Sequence, residues 1–66
     1  MKLHFGKDAD ALYLKFDESA IVESEEVRPG VVLDFNSSDQ VVGIELLGIG
    51  KRISLDALKE VAVQVA

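Results

Sequence analysis

The sequence predicts an α+β fold, an antiparallel β-meander of four to five strands with one C-terminal amphipathic helix packed on one face. Two observations predict it. Up to residue 47, short segments rich in β-branched residues alternate apolar and polar side chains, and turn-forming residues separate them. After residue 54 the apolar residues recur at helical spacing instead. We expect residues 1–66 to form a single domain.

Residues 2–5 and 11–16 read as the first hairpin. Both segments alternate in hydropathy, and residues 6–10 between them are typical of a turn. Residues 20–28 are rich in glutamate and offer little to bury. They predict an edge strand, or a twisted and partly solvated one, since charge on an edge opposes pairing with other chains.

Residues 29–47 predict the central hairpin, around which the other elements are organised. Pro29 and Gly30 favour a corner, and two β-branched runs follow on either side of a polar break at residues 36–40. The short polar side chains of that break favour a turn, whose type stays open. The core expected from the strands comprises Leu3, Phe5, Leu12, Leu14, Phe16, Leu33, Phe35, Ile44 and Leu46.

The last element is a helix that begins after Ser54. The Ser54 hydroxyl is placed to accept a hydrogen bond from an early backbone N–H, and Asp56 lies in the first turn, where the helix dipole favours a carboxylate. The apolar stripe that we expect to pack on the sheet consists of Leu55, Leu58, Val61, Ala62 and Val65.

Size and charge restrict the classes of function. A chain of 66 residues buries only about 60 % of the surface its unfolded form exposes, and small folds usually need an additional constraint. The chain has no cysteine, which excludes disulfides and fits a reducing compartment. We therefore expect a homo-oligomer, with a further protein partner as an open alternative.

The chain is acidic, with twelve Asp and Glu against seven Lys and Arg. Nucleic acids and anionic membranes bind through clustered basic residues, so we expect neither partner. No apolar run approaches the roughly 20 residues of a membrane span, and the first residues do not resemble a signal peptide. The expected location is the cytoplasm.

Carboxylates are the main candidates for chemistry. Asp8 with Asp10, and Glu23 with Glu25, could offer paired oxygens to a divalent cation, but the calcium-loop pattern is missing. We interpret these pairs as solvated surface groups and expect no metal and no cofactor. Gly48–Lys51, written GIGK, could hold an anion at its backbone N–H groups, or serve as a plain connector, which we favour.

A second group of candidate residues for catalysis or ligand binding comprises Asp34, Glu45 and His4. Asp34 and Glu45 belong to strands expected to face each other, and a carboxylate pair can perform acid–base chemistry. The sequence shows no nucleophile–base pair beside them. We interpret Asp34 as bonding to turn backbone and Glu45 as pairing with Lys15, Lys51 or Arg52, so no catalytic residue is assigned.

Four stretches together resemble a known family. Residues 10–14 (DALYL), 29–35 (PGVVLDF) and 41–47 (VVGIELL), followed by Lys51 and Arg52, are similar to the small prokaryotic family known as domain of unknown function 2283. The resemblance covers residues 2–53 and implies a compact β-rich domain without an established activity or cofactor. Family members commonly carry a glycine where this chain has Ser38 and Asp39. Some members resemble proteins encoded beside toxin-like partners.

These observations predict a non-catalytic interaction or regulatory module that acts as a homo-oligomer. One alternative is a small-molecule binder or minor hydrolase that uses Asp34, Glu45 and His4. A further alternative, which comes from the family resemblance, is an antitoxin-like partner of a toxin.

Overall fold

The computed structural model describes residues 1–66 and shows one five-stranded antiparallel sheet. This confirms the expected antiparallel sheet and, of the expected four to five strands, the larger number. The strands are β1 (Lys2–Gly6), β2 (Ala11–Lys15), β3 (Glu23–Arg28), β4 (Val31–Phe35) and β5 (Val41–Leu47). The segment at residues 20–28 forms a regular edge strand from Glu23 onward, with a register shift between Glu26 and Arg28.

The strand order is β1-β2-β5-β4-β3, so the expectation of a simple meander is wrong. β2 pairs with β5 instead of with β3, and residues 16–22 connect β2 to the opposite edge of the sheet. β5 is an almost uninterrupted apolar run, and such a run is best buried between two neighbouring strands. The hairpin of β4 and β5 therefore lies inside the sheet, while acidic β3 forms one edge.

Residues 37–39 form a three-residue hairpin loop, which the hydrogen bond from the Asn36 N–H to the Gln40 carbonyl closes. The third loop residue, Asp39, is in the left-handed conformation. Asp39 has φ 59°, and its N–H donates to the Asn36 carbonyl at 3.0 Å. The buried Asn36 side chain accepts hydrogen bonds from the N–H groups of Ser38 and Gln40, both at 3.0 Å. This is the loop type in which glycine usually occupies the left-handed position, which Asp39 takes in this chain.

The C-terminal helix differs from the expectation. A 3-10 turn (Ile49–Lys51) is followed by α1 (Leu55–Leu58), which has only four residues. The Ser54 hydroxyl accepts from the Ala57 N–H at 3.1 Å, which confirms the N-cap. Residues 59–66 have no helix or strand, and none of the helical residues is buried. The expected helix that continues to Val65 and packs on the sheet is therefore wrong.

Two physical reasons account for the short helix. Helices of fewer than about 12 residues are marginal in water unless packing supports them. The β-branched residues Val61, Val63 and Val65 also lose rotamer freedom in a helix. Their spacing fits a strand period of two, a reading that the helical interpretation of residues 55–65 overlooked. The protein is consequently mostly β.

One face of the sheet carries apolar side chains across four strands, because the register places leucines and other aliphatic residues directly opposite each other. This apolar face comprises Leu3, Phe5, Leu12, Leu14, Val31, Leu33, Ile44 and Leu46. None of the eight is fully buried: Leu3 is 45 % exposed, and the other seven are partly buried. The buried apolar side chains are instead Ala11, Val42 and Ile49. Seven of the nine core residues expected from the strands lie on the apolar face, whereas Phe16 follows the end of β2 and Phe35 lies beyond the register shift of β4.

We predict that the left-handed Asp39 limits stability. Asp39→Ala should lower the free energy of unfolding by about 1 kcal/mol, because alanine keeps the Cβ that a positive φ disfavours but lacks the short polar side chain with which aspartate tolerates the left-handed region. Asp39→Gly should equal or exceed the wild type, and urea unfolding measures both. Ser38→Gly is the matched control, because Ser38 lacks a positive φ. A glycine at position 39 less stable than alanine would contradict this account.

Candidate functional site

The face opposite the apolar face, called the polar face below, carries a hydrogen-bonded cluster of three side chains from three strands. Asp34 of β4 is only 7 % exposed. Its Oδ2 accepts from the Tyr13 hydroxyl at 2.8 Å, and its Oδ1 accepts from the Ser24 Oγ at 2.5 Å. Both carboxylate oxygens thus have a donor, as a buried charged group requires. Asp34 does not bond to turn backbone, contrary to the sequence-based interpretation.

Gly43 makes this cluster possible. It lies on β5 directly opposite both Lys15 and Asp34, between β2 and β4. A Cβ atom at Gly43 would lie 2.5 Å from the Tyr13 hydroxyl oxygen and 3.0 Å from its Cζ. The absence of a side chain lets the Tyr13 ring cross β5 and reach Asp34, two strands away. A glycine inside a strand is a known sign of such close approach.

The environment keeps the Tyr13 phenol protonated. Burial, followed by the hydrogen bond to Asp34 and the negative charges of Asp34, Glu45 and Glu18, raises the pKa of Tyr13 to about 12. At neutral pH the phenol is therefore a hydrogen-bond donor, and Asp34 is its acceptor. The cluster has no group placed to remove a proton from Ser24 or Tyr13 other than the carboxylate that already binds both.

The three residues of the alternative enzymatic hypothesis lie on the polar face but do not converge. Tyr13 is directly opposite His4 on one side and Glu45 on the other, so its side chain separates them. Asp34 is directly opposite Gly43, one diagonal step from Glu45. Tyr13 and Ser24, which sequence reasoning did not select, are the actual partners of Asp34. The glycine at position 43 was the signal that could have indicated them.

Glu45 lacks the basic partners expected from the sequence. Lys15 pairs with Glu18 at 3.2 Å, which is the one ion pair in the structure. The Arg52 guanidinium donates to main-chain carbonyls, at 3.2 Å to Pro29 and at 3.5 Å to Leu47. Arg52 therefore ties the β3–β4 turn to the end of β5, and its charge is directed at backbone.

The GIGK segment is neither a free connector nor an open anion site. Asp10, with φ 51°, accepts from the Ile49 N–H through its carbonyl at 3.0 Å and from the Gly50 N–H through Oδ1 at 2.9 Å. An aspartate of the same chain thus occupies the N–H groups that an anion would need. Asp10 consequently serves to fix this turn beside the β1–β2 hairpin.

No three His, Cys, Asp or Glu side chains converge as a metal ion requires, and the surface has no pocket. No helix has the length and apolarity needed to cross a membrane. The apolar face groups eight apolar side chains in register on one side of the sheet. Leu3 is exposed, and the other seven are partly buried. Apolar patches of this kind usually mark a contact with another molecule.

We predict strong energetic coupling between Gly43 and Tyr13. Gly43→Ala should lower the free energy of unfolding by about 2 kcal/mol, because the new methyl group overlaps the phenol. In a Tyr13→Ala background the same substitution should cost less than about 0.5 kcal/mol. A double-mutant cycle by urea unfolding measures the coupling, and equal costs in both backgrounds would refute the proposed contact.

The high pKa of Tyr13 predicts a loss of stability in alkali. Folding raises the pKa of Tyr13 from 10.0 to about 12. The stabilisation that the protonated phenol contributes is therefore complete below pH 10 and is lost as the pH rises through 12. The stability difference between the wild type and Tyr13→Phe should shrink over that range. The chain has one tyrosine, so phenolate absorbance titrates Tyr13 alone. A titration midpoint at the ordinary value would contradict the cluster geometry.

Comparison with known proteins agrees with the resemblance noted in the sequence. Residues 2–49 match the family described as "Protein of unknown function (DUF2283)". Neither the curated proteins nor the solved structures gave a match to the chain. The matched segment contains all five strands, the Tyr13–Asp34–Ser24 cluster and the apolar face. Since it spans well over half of the 66 residues, the chain belongs to the DUF2283 family.

Proposed function

We propose that the protein is a non-catalytic interaction module that acts as a homo-oligomer, in which two copies pack their apolar faces together. The observation that carries this proposal is the apolar face itself: eight aliphatic and aromatic side chains in register across four strands, of which Leu3 is exposed and the other seven are only partly buried. Face-to-face packing of two such sheets, about 10 Å apart, is the usual way to bury this pattern.

The dimensions of the chain support the proposal. One copy exposes 5063 Å², whereas a compact monomer of its mass exposes about 4,100 Å². The radius of gyration is 12.7 Å, against about 11 Å for a compact chain of this length. The additional exposed area is about 900 Å², of the order of the roughly 800 Å² that each partner buries in a stable interface. It includes residues 59–66, all of which are exposed, as well as the apolar face.

Charge favours face-to-face packing over pairing between two β3 edges. β3 carries Glu23, Glu25 and Glu26, and an antiparallel pair of β3 strands would place like charges opposite each other. The central part of the apolar face, by contrast, carries no charge. We place this module in the cytoplasm, an assignment that the lack of cysteine supports.

The competing enzymatic role has less support. Asp34 is satisfied by two hydroxyl groups, and Tyr13 stands between His4 and Glu45. Catalysis would require these groups to present a free nucleophile or base beside a bound substrate. The arrangement instead suits a cluster that holds β2, β4 and β3 in one rigid sheet beneath the apolar face.

A pair of adjacent substitutions in β4 tests the proposal. Leu33→Lys places a charge on the apolar face, between Ile44 and Glu25, whereas Val32→Lys makes the same kind of change on the polar face, between Glu26 and Glu45. The wild type and Val32→Lys should be oligomeric at micromolar concentration. Leu33→Lys should be monomeric, because the interface would have to desolvate the new ammonium group together with the Glu25 carboxylate opposite it. Light scattering and sedimentation equilibrium measure the mass.

Circular dichroism should show the same sheet in all three proteins, which separates loss of assembly from loss of folding. A monomeric wild type would overturn the proposal. The apolar face would then require a different protein as its partner, as the antitoxin-like alternative demands. An oligomer that survives Leu33→Lys but not Val32→Lys would place the interface on the polar face and would equally contradict us.

A further inference from the structure

The C-terminal segment, residues 60–66 (EVAVQVA), has the composition of a strand and no strand partner. Val61, Val63 and Val65 alternate with alanine and glutamine, which gives the period of two and the β-branched residues typical of a strand. The three valines are 58 %, 75 % and 92 % exposed. A short β-branched segment with one charge and no proline pairs readily with a sheet edge, so leaving it uncovered would favour aggregation.

The backbone of this segment is also free. Residues 61–66 make none of the 33 backbone hydrogen bonds, and the last one in the chain runs from the Glu60 N–H to the Ala57 carbonyl at 3.2 Å. No side chain of the protein bonds to the segment either. Edge strands of another sheet present the matching unpaired N–H and C=O groups.

The two edges of the sheet differ in charge, and this difference selects one of them. β3 presents Glu23, Glu25 and Glu26, which would repel Glu60, the only charged side chain of the segment. β1 presents Lys2 and His4 and no acidic residue. Leu3 and Phe5 of β1 also lie on the apolar face, so a strand added there can continue that face with its valines.

We propose that the C-terminal segment of one copy adds a sixth strand to the β1 edge of a second copy. A reciprocal exchange between two copies would satisfy both segments and both β1 edges, which is the arrangement of a closed two-fold dimer. The inference rests on the proposed self-association, and it adds a second contact to the packing of the apolar faces. Within a single copy the segment and β1 are both present but do not pair.

Proline substitutions at two adjacent positions test the pairing. Successive N–H groups of a strand point to opposite sides, so only one of Val63 and Gln64 directs its N–H to β1. One of the variants Val63→Pro and Gln64→Pro should therefore raise the dissociation constant of the dimer about tenfold, and the other should change it much less. Val63→Thr is the matched control, because it keeps a β-branched side chain and the N–H.

Amide hydrogen exchange on the full chain gives the second readout. Alternate amides within residues 61–66 should exchange at least about tenfold more slowly when the protein is oligomeric than when it is diluted to the monomer. The β1 amides that face outward should gain protection over the same concentration range. The proline variant that weakens the dimer should lose both effects, while its monomer unfolds as the wild type does.

The outcomes separate this inference from the proposed function. If the wild type is a monomer, both fail. A wild-type dimer that Leu33→Lys disrupts would support the apolar-face dimer. If both proline variants then behave alike and residues 61–66 exchange rapidly, the strand exchange is overturned while the apolar-face dimer stands. Protection of residues 61–66 that does not depend on concentration would mean pairing within one copy and would also overturn it.

Discussion

The structure depends on one constraint: a five-stranded sheet offers two faces, and no long helix of its own chain packs across either of them. Alternation along each strand sends aliphatic side chains to one face and polar ones to the other. A helix on the apolar face would have closed a core, but α1 has four residues and ends at Leu58. Leu3 therefore stays exposed and the other seven side chains of the apolar face stay only partly buried, which is the basis of the proposed association.

The polar face shows how a thin sheet is made rigid without a second layer. One glycine, Gly43, lets the Tyr13 ring cross the central strand, and the Asp34 carboxylate then joins β2, β4 and β3 through two hydroxyl groups. At one end of the sheet, Asp10 holds the turn after β5, and Arg52 holds the β3–β4 turn. These contacts join residues 10 to 40 positions apart. They stabilise the register on which the continuity of the apolar face depends.

The same residues that suggest chemistry in a one-dimensional reading serve structure in three dimensions. Asp34 is a buried acceptor, the GIGK backbone is bound by an aspartate, and Arg52 binds carbonyl groups. These polar groups bind partners within the chain, and this is one reason why we propose an interaction module. In the proposed assembly, the opposite charges of the two edges, basic at β1 and acidic at β3, would restrict how two copies pair.

The sequence by itself determined the local features: strands with period two, an acidic edge at residues 23–28, the turn at residues 36–40 and the Ser54 cap. These depend on neighbours along the chain, so a local pattern suffices. Only the tertiary structure decided the strand order, the partners of Asp34 and the fate of residues 59–66. Strand order depends on which distant segments pair. The Tyr13–Asp34 contact forms because β5 lies between β2 and β4 and carries Gly43 where the Tyr13 ring crosses it. Val61 and Val65 suit a helix stripe, whereas Val61, Val63 and Val65 together suit a strand, and only a packing partner can choose between the two structures.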